Sequence, residues 1–133
     1  MPEVYCVRAD FGTYTKQFIE GGYVAFGGNN KVDLTHIKSR DELYAIYKET
    51  HPDVTSNIVI GQTVGQIARF ILEIKPDDYV ITPAADTEIL HVGIVQKDHS
   101  YFYFKGTDGC PYRHRRRIKW VTTANRSAFS VPF

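Results

Sequence analysis

The densest run of chemically capable side chains is cationic: Tyr112-Arg113-His114-Arg115-Arg116-Arg117-Ile118-Lys119-Trp120-Val121. Read as a strand, alternate side chains share a face. If Ile118 and Trp120 point into the domain, His114 and Arg116 point the same way, and Arg113, Arg115, Arg117 and Lys119 form an outward row. Charges at strand spacing lie roughly 6.5–7 Å apart, comparable with the phosphate repeat of a nucleic-acid backbone. The same row also suits a charged edge strand that resists aggregation. An inward cation must meet a carboxylate, a carbonyl or a ligand, which makes His114 and Arg116 the more specific clues. Trp120, the only tryptophan, is either core or one wall of an aromatic slot, with Tyr23 or Phe26 as another wall. Such a slot holds an unstacked base, each stacked base contributing about 1–3 kcal/mol. Asn29, Asn30 and Thr82 are then the residues expected to read its Watson–Crick edge.

Residue sets for covalent chemistry do not accompany this stretch. The serines do not sit in a Gly-x-Ser-x-Gly elbow, and the five histidines (His36, His51, His91, His99, His114) lack HxH or HExxH spacing. Glu73-Ile74-Lys75 has the letters of a metal-dependent nuclease pair but falls at the end of a helical pattern rather than on a strand. Cys6 and Cys110 lie far apart with no CxxC, the usage of reduced thiols in a cytoplasmic protein. The expectation is a binding domain without catalytic residues, metal or cofactor. An enzyme built on His114 with Asp86 or Asp108 is the reading from a different class, and a protein-interaction or antitoxin-like module without a pocket is another.

The elements that must position these residues are legible. Val4 to Ala9 alternate as a first strand, and Asp10 or Thr13 is placed to cap a short helix through Gln17 to Glu20, with Tyr14 and Phe18 one turn apart. Gly21-Gly22 stops it and launches the Tyr23–Phe26 strand, and Gly27-Gly28-Asn29-Asn30 forms a loop. Ser39-Arg40-Asp41-Glu42 is a capping box for a helix through Lys48. Val64, Ile67, Ile71 and Ile74 form one stripe of a helix over Thr63 to Ile74, with Gly61 and Gln62 at its N-terminal approach. After a Pro76-Asp77-Asp78 turn the pattern becomes β: Tyr79–Thr82, Glu88–Gln96, Tyr101–Phe104 and His114–Val121, with Asp98-His99-Ser100 as a hairpin connection. The order predicts an α+β fold with helices packed around a small, partly closed sheet.

A chain of 133 residues at 43% hydrophobic content supports a single core. Residues 1–126 are read as one domain and 127–133 as a tail or the start of a linker. The formal charge of +1 excludes a polycationic coat while leaving room for a local basic patch. The N-terminus lacks the pattern of a signal peptide and no stretch approaches a membrane span, so the expected compartment is cytoplasmic and no membrane partner is expected.

With these segments in order, the chain resembles the EVE/PUA-like group of domains. It is particularly similar to the N-terminal modules that precede nuclease domains in Mrr-type and related modification-dependent restriction systems. The resemblance is carried by Val7-Arg8-Ala9-Asp10 with Tyr14 and Phe18, Gly22 to Gly27, Gly65-Gln66 through Phe70, Ile74 to Pro83, Val92-Gly93-Ile94-Val95 and Arg115 to Trp120. It implies a pseudo-barrel of about five or six strands with flanking helices and a pocket that, in relatives, receives a flipped modified base. Carried across, Tyr23, Phe26 and Trp120 match the aromatic positions and Thr82-Pro83 the strand end near the pocket. Arg8 joins the cations assigned to phosphate. Many relatives carry a Trp where this chain has Gly28. The implied function is a reader of DNA with a modified or flipped base that targets an associated nuclease domain or subunit. An RNA reader is the alternative within binding.

Overall fold

The computed structural model describes residues 2–10, 12–84, 88–97 and 100–128. The expected roles of Asp86, the Asp98-His99 half of the hairpin connection and the tail beyond Ala128 lie outside the described residues. Six strands form a curled half-barrel sheet packed with three helices, the α+β class expected from the sequence. The strands are β1 (Val4–Cys6), β2 (Tyr23–Phe26), β3 (Tyr79–Pro83), β4 (Ile89–Val95), β5 (Tyr101–Tyr103) and β6 (His114–Asn125); the helices are α1 (Thr15–Gly21), α2 (Arg40–Thr50) and α3 (Asn57–Ala68). No helix among the described residues is long and apolar enough to cross a membrane.

β6 organises the sheet, whose order is β1-β3-β4-β6-β2. Its first half, His114 to Arg117, pairs antiparallel with β2, while β5 pairs with His114 to Arg116 from the other side. Its second half pairs with β4 from Ile118 to Asn125. One residue, Val121, is extra on β6 where Val92 faces Thr122 and Gly93 faces Trp120, a β-bulge that turns Val121 outward. Gly93 sits under the Ile118 and Trp120 side chains, so a Cβ there has no room. β1 joins the far edge by parallel pairing with β3.

The Ser39 capping box forms as its spacing requires: the Glu42 N–H donates to Ser39 Oγ, and Ser39 Oγ donates back to the Glu42 carboxylate. Two helix starts differ from the expectation. Neither Asp10 nor Thr13 caps α1; Asp10 takes a positive φ of 53° and its carbonyl instead receives the Thr13 N–H, making a tight turn. α3 begins at Asn57, capped by Ser56, so Gly61 and Gln62 lie inside the helix with their N–H groups occupied. Ile58 and Val59 stand exposed on its first turn, which hides this start from an amphipathic pattern.

α3 does not end at Ala68. It widens into a π-helical turn, Arg69–Glu73, closed by the Ile74 N–H on the Arg69 carbonyl at 3.0 Å. Val64, Ile67, Ile71 and Ile74, the stripe that the sequence predicts, are all buried in the core, as is Phe70 beside them.

Candidate functional site

The half-barrel stays open between its terminal strands β1 and β2, and the C-terminal part of α3 lies across that seam. A cleft of about 640 Å³ remains there, lined by Val4 to Arg8 from the β1 segment, by Phe26 from β2, and by Gln66, Arg69 and Phe70 from the helix. Phe26 and Phe70 stack with centroids 5.6 Å apart and an interplanar angle of 27°. Phe70 is buried and Phe26 half-buried, so Phe26, backed by Phe70, is the ring of the pair that a ligand in the cleft can reach. Gly28 packs against Phe26 and Ile67, where a Cβ would collide with both; the tryptophan that many resembling domains carry here would not fit beside this Phe26 rotamer. Arg8, Gln66 and Arg69 are exposed at the rim. Among the described residues, neither arginine has a carboxylate within salt-bridge distance. Burial raises the pKa of the Cys6 thiol, with the Arg8 charge pulling the other way.

Of the aromatic residues expected to frame one pocket, Phe26 lines this cleft. Tyr23 is in the core, its hydroxyl donating to Asp108 Oδ2 at 2.9 Å, and burial raises its pKa. Trp120 is half-buried on the α1 side, donating from Nε1 to the Phe18 carbonyl at 2.8 Å. Asn30 uses its side chain as a brace: Nδ2 donates to the Pro111 carbonyl and Oδ1 accepts the Arg113 N–H. Asn29 offers its main-chain carbonyl to His114 Nε2 at 3.0 Å. Thr82 and Pro83 are fully buried in β3; the Pro83 carbonyl accepts from Thr15, and the Thr82 hydroxyl has no partner among the described residues.

The cationic strand is partly the reverse of its expected arrangement. His114 and Arg116 do point inward, but Arg115 is also buried and does not join an outward row. The reason is the segment after β5, which folds over that face of β6. The Arg115 guanidinium lies 4.2 Å from the Tyr23 ring centroid and 3.8 Å from that of Phe104. It pairs with Asp108 through two bonds of 2.6 and 3.0 Å and also donates to the Cys110 and Tyr112 carbonyls. Hydrogen bonding from Arg115 lowers the Asp108 pKa to about 2. Arg113 is half-buried and donates to the Phe104 carbonyl. Arg117 and Lys119 are exposed, Arg117 resting 4.5 Å from the Phe102 centroid.

His114 sits between Tyr101 and Tyr103. Its Nδ1 lies 2.9 Å from the Tyr101 hydroxyl and its Nε2 faces the Asn29 carbonyl, so it fits a neutral imidazole that accepts from Tyr101 and donates to Asn29. Burial lowers its pKa accordingly. Arg116 donates to the Phe70 and Ile71 carbonyls and to Ser100 Oγ, and burial lowers its pKa to about 10. Both inward side chains, the neutral His114 and the charged Arg116, therefore meet oxygens of this chain. Among the described residues no three His, Cys, Asp or Glu side chains cluster as metal ligands.

Gln66, Arg69 and Phe70 are the cleft residues that sequence reasoning passed over. They stand on the predicted helix, where Phe70 falls beside the apolar stripe; Arg69 and Phe70 lie in the π-turn and line the cleft together with Gln66.

No curated protein matches the chain. The model of one family covers residues 8–131, and the chain belongs to that family, described as Domain of unknown function (DUF8426).

Proposed function

We propose that this domain is a nucleic-acid reader that holds an unstacked base, modified or flipped out of DNA, in the seam cleft and targets an associated nuclease to that site. The observation that carries the reading is the half-buried Phe26 ring, backed by Phe70, in a cleft also lined by Arg8 and Arg69, neither of which has a carboxylate within salt-bridge distance among the described residues. An aromatic floor takes the π-face of any base, and adjacent guanidinium groups suit the phosphates on either side of it. Extruding a base from a duplex costs a few kcal/mol, which stacking and edge hydrogen bonds offset. The half-barrel with flanking helices agrees with the pseudo-barrel implied by the EVE/PUA-like resemblance. The domain's own part is recognition; cleavage belongs to its partner. Arg117 and Lys119 supply a second cationic point for the backbone.

The test is binding to single- and double-stranded DNA and RNA oligonucleotides carrying methylated, hydroxymethylated and unmodified bases across a salt series. Affinity should fall with salt, and Arg8→Ala and Arg69→Ala should each reduce the slope of log K against log salt by about 1. Phe26→Ala should weaken binding by about 1–3 kcal/mol, roughly 5- to 150-fold. Absence of retention on any oligonucleotide at low salt refutes the reading. Tighter binding to RNA than to DNA would reassign the target.

A further inference from the structure

β1 is satisfied along one side. The Tyr79 N–H donates to the Glu3 carbonyl at 2.9 Å and the Val7 N–H donates to the Ile81 carbonyl at 3.0 Å. Glu3, Tyr5 and Val7 thus turn their main-chain groups toward β3. By the alternation of an extended strand, Val4, Cys6 and Arg8 turn theirs the other way, toward the seam. Among the described residues the sheet order places no strand on that side, and Val4 to Arg8 line the cleft. Among the described residues these N–H and C=O groups have no main-chain partner, and they border the cleft that Phe26 lines.

We infer that this main-chain edge, rather than the Asn29, Asn30 or Thr82 side chains, reads the Watson–Crick edge of the bound base. The inference rests on the proposed reader function. In an extended strand the carbonyl of one residue and the N–H two residues on lie along the same edge as an acceptor beside a donor. Val4 C=O with Cys6 N–H is such a pair, and Cys6 C=O with Arg8 N–H is the next. Nucleobases carry the complement, a donor beside an acceptor: the amine and ring nitrogen of adenine or cytosine, or the ring N–H and carbonyl of thymine or guanine. A base stacked on the aromatic floor and hydrogen-bonded at this edge must be unpaired. Chemical groups on its other edges stay clear of the strand. The rim arginines favour a nucleotide over a peptide strand as occupant, because they match a phosphate, gain no charge partner from an uncharged strand and would repel a basic one.

The experiment is a nitrogen-15 titration of the domain with dAMP and dTMP, and with their neutral edge-blocked analogues, N6,N6-dimethyl-dAMP and N3-methyl-dTMP. The parent nucleotides should shift the Cys6 and Arg8 amides and slow their hydrogen exchange. The Tyr5 and Val7 amides, already bonded to β3, should stay in place. The blocked analogues should bind at least about tenfold more weakly, the cost of one lost hydrogen bond. Equal binding of parent and blocked nucleotides, with shifts at Phe26 and Phe70, would overturn main-chain reading and leave the base cleft standing. Cleft resonances that ignore every nucleotide while oligonucleotides are still retained would place the base elsewhere and overturn it as well. Loss of oligonucleotide retention altogether would overturn the reader function itself. Slowed exchange at Cys6 and Arg8 that depends on protein concentration alone would assign the edge to a second copy of the chain.

Discussion

Replacing Arg116 by Met should cost about 3 kcal/mol of stability, and the reason lies at the end of α3. In an α-helix the Phe70 and Ile71 carbonyls would receive the N–H groups of Ile74 and Lys75. Here the Ile74 N–H is taken by the Arg69 carbonyl, the Lys75 N–H donates to Asp78 Oδ2 at 2.8 Å, and Pro76 has none to give. Both carbonyls are buried with no local donor, and Arg116 reaches across from β6 to serve them. Its Nε donates to Phe70 O at 2.9 Å, and its Nη2 to Ile71 O. A cation at a helix C-terminus also complements the helix dipole. Orphaning two buried carbonyls costs about 1–3 kcal/mol each. Relief from burying the guanidinium, the effect that lowers its pKa to about 10, returns part of that. Against a typical total of about 5–15 kcal/mol the variant should still fold. With a urea slope of about 1–3 kcal/mol per molar, its midpoint should drop by roughly 1–3 M at unchanged slope, followed by Trp120 fluorescence. Arg116→Lys, which keeps the charge and loses the fork, should fall between the two. A midpoint for Arg116→Met within about 0.3 M of the native protein, well inside the shift expected from that slope, would refute the capping argument.

Asp108→Asn should destabilise by about 2–4 kcal/mol in thermal or urea unfolding, because it leaves the buried Arg115 guanidinium without its counter-charge; an unchanged midpoint would mean that the carbonyls of Cys110 and Tyr112 suffice. The same pair sets an acid response. The folded Asp108 pKa of about 2 lies below an unfolded value of about 3.9, so its contribution is full above about pH 4 and is lost as pH falls toward 2. The gap between native and Asp108→Asn proteins should therefore close over that window, and a gap independent of pH would contradict it. Gly93→Ala, which drives a methyl into Ile118 and Trp120 at the bulge, should cost about 1–3 kcal/mol and shift Trp120 emission; native stability would show that the bulge can slide.

Much of the fold was legible because its signals are local. The Ser39 box, the Gly21-Gly22 stop and the Tyr79–Thr82 strand after its Pro-Asp-Asp turn each state their structure within a few residues, and each forms. The inward pairing of His114 with Arg116 followed from strand parity alone. What failed was non-local. Parity also predicted Arg115 in solvent, but exposure depends on what covers a face, and Asp108 and Phe104 arrive from outside the strand. The aromatic trio was grouped by residue type, whereas Tyr23 and Trp120 are claimed by Asp108 and the Phe18 carbonyl. The cleft is lined in part by a π-turn, after which the Lys75 N–H goes to Asp78 and Pro76 has none to give, a pattern visible in sequence only once the helix end is known.

The position of β6 also sets a timetable for folding. β2, β4 and β5 all bond to it, and β2 at residues 23–26 must wait for residues 114–117, some ninety positions later. On a ribosome adding about 5–20 residues per second, the apolar strand Tyr23–Phe26 spends seconds as an unpaired edge before its partner exists. The helices α2 and α3, made in the interval from chain-local contacts, can form first and shelter it. Folding of this domain is therefore governed by the late arrival of one strand, whose Arg116 caps the end of α3 and whose Arg115 pairs with Asp108.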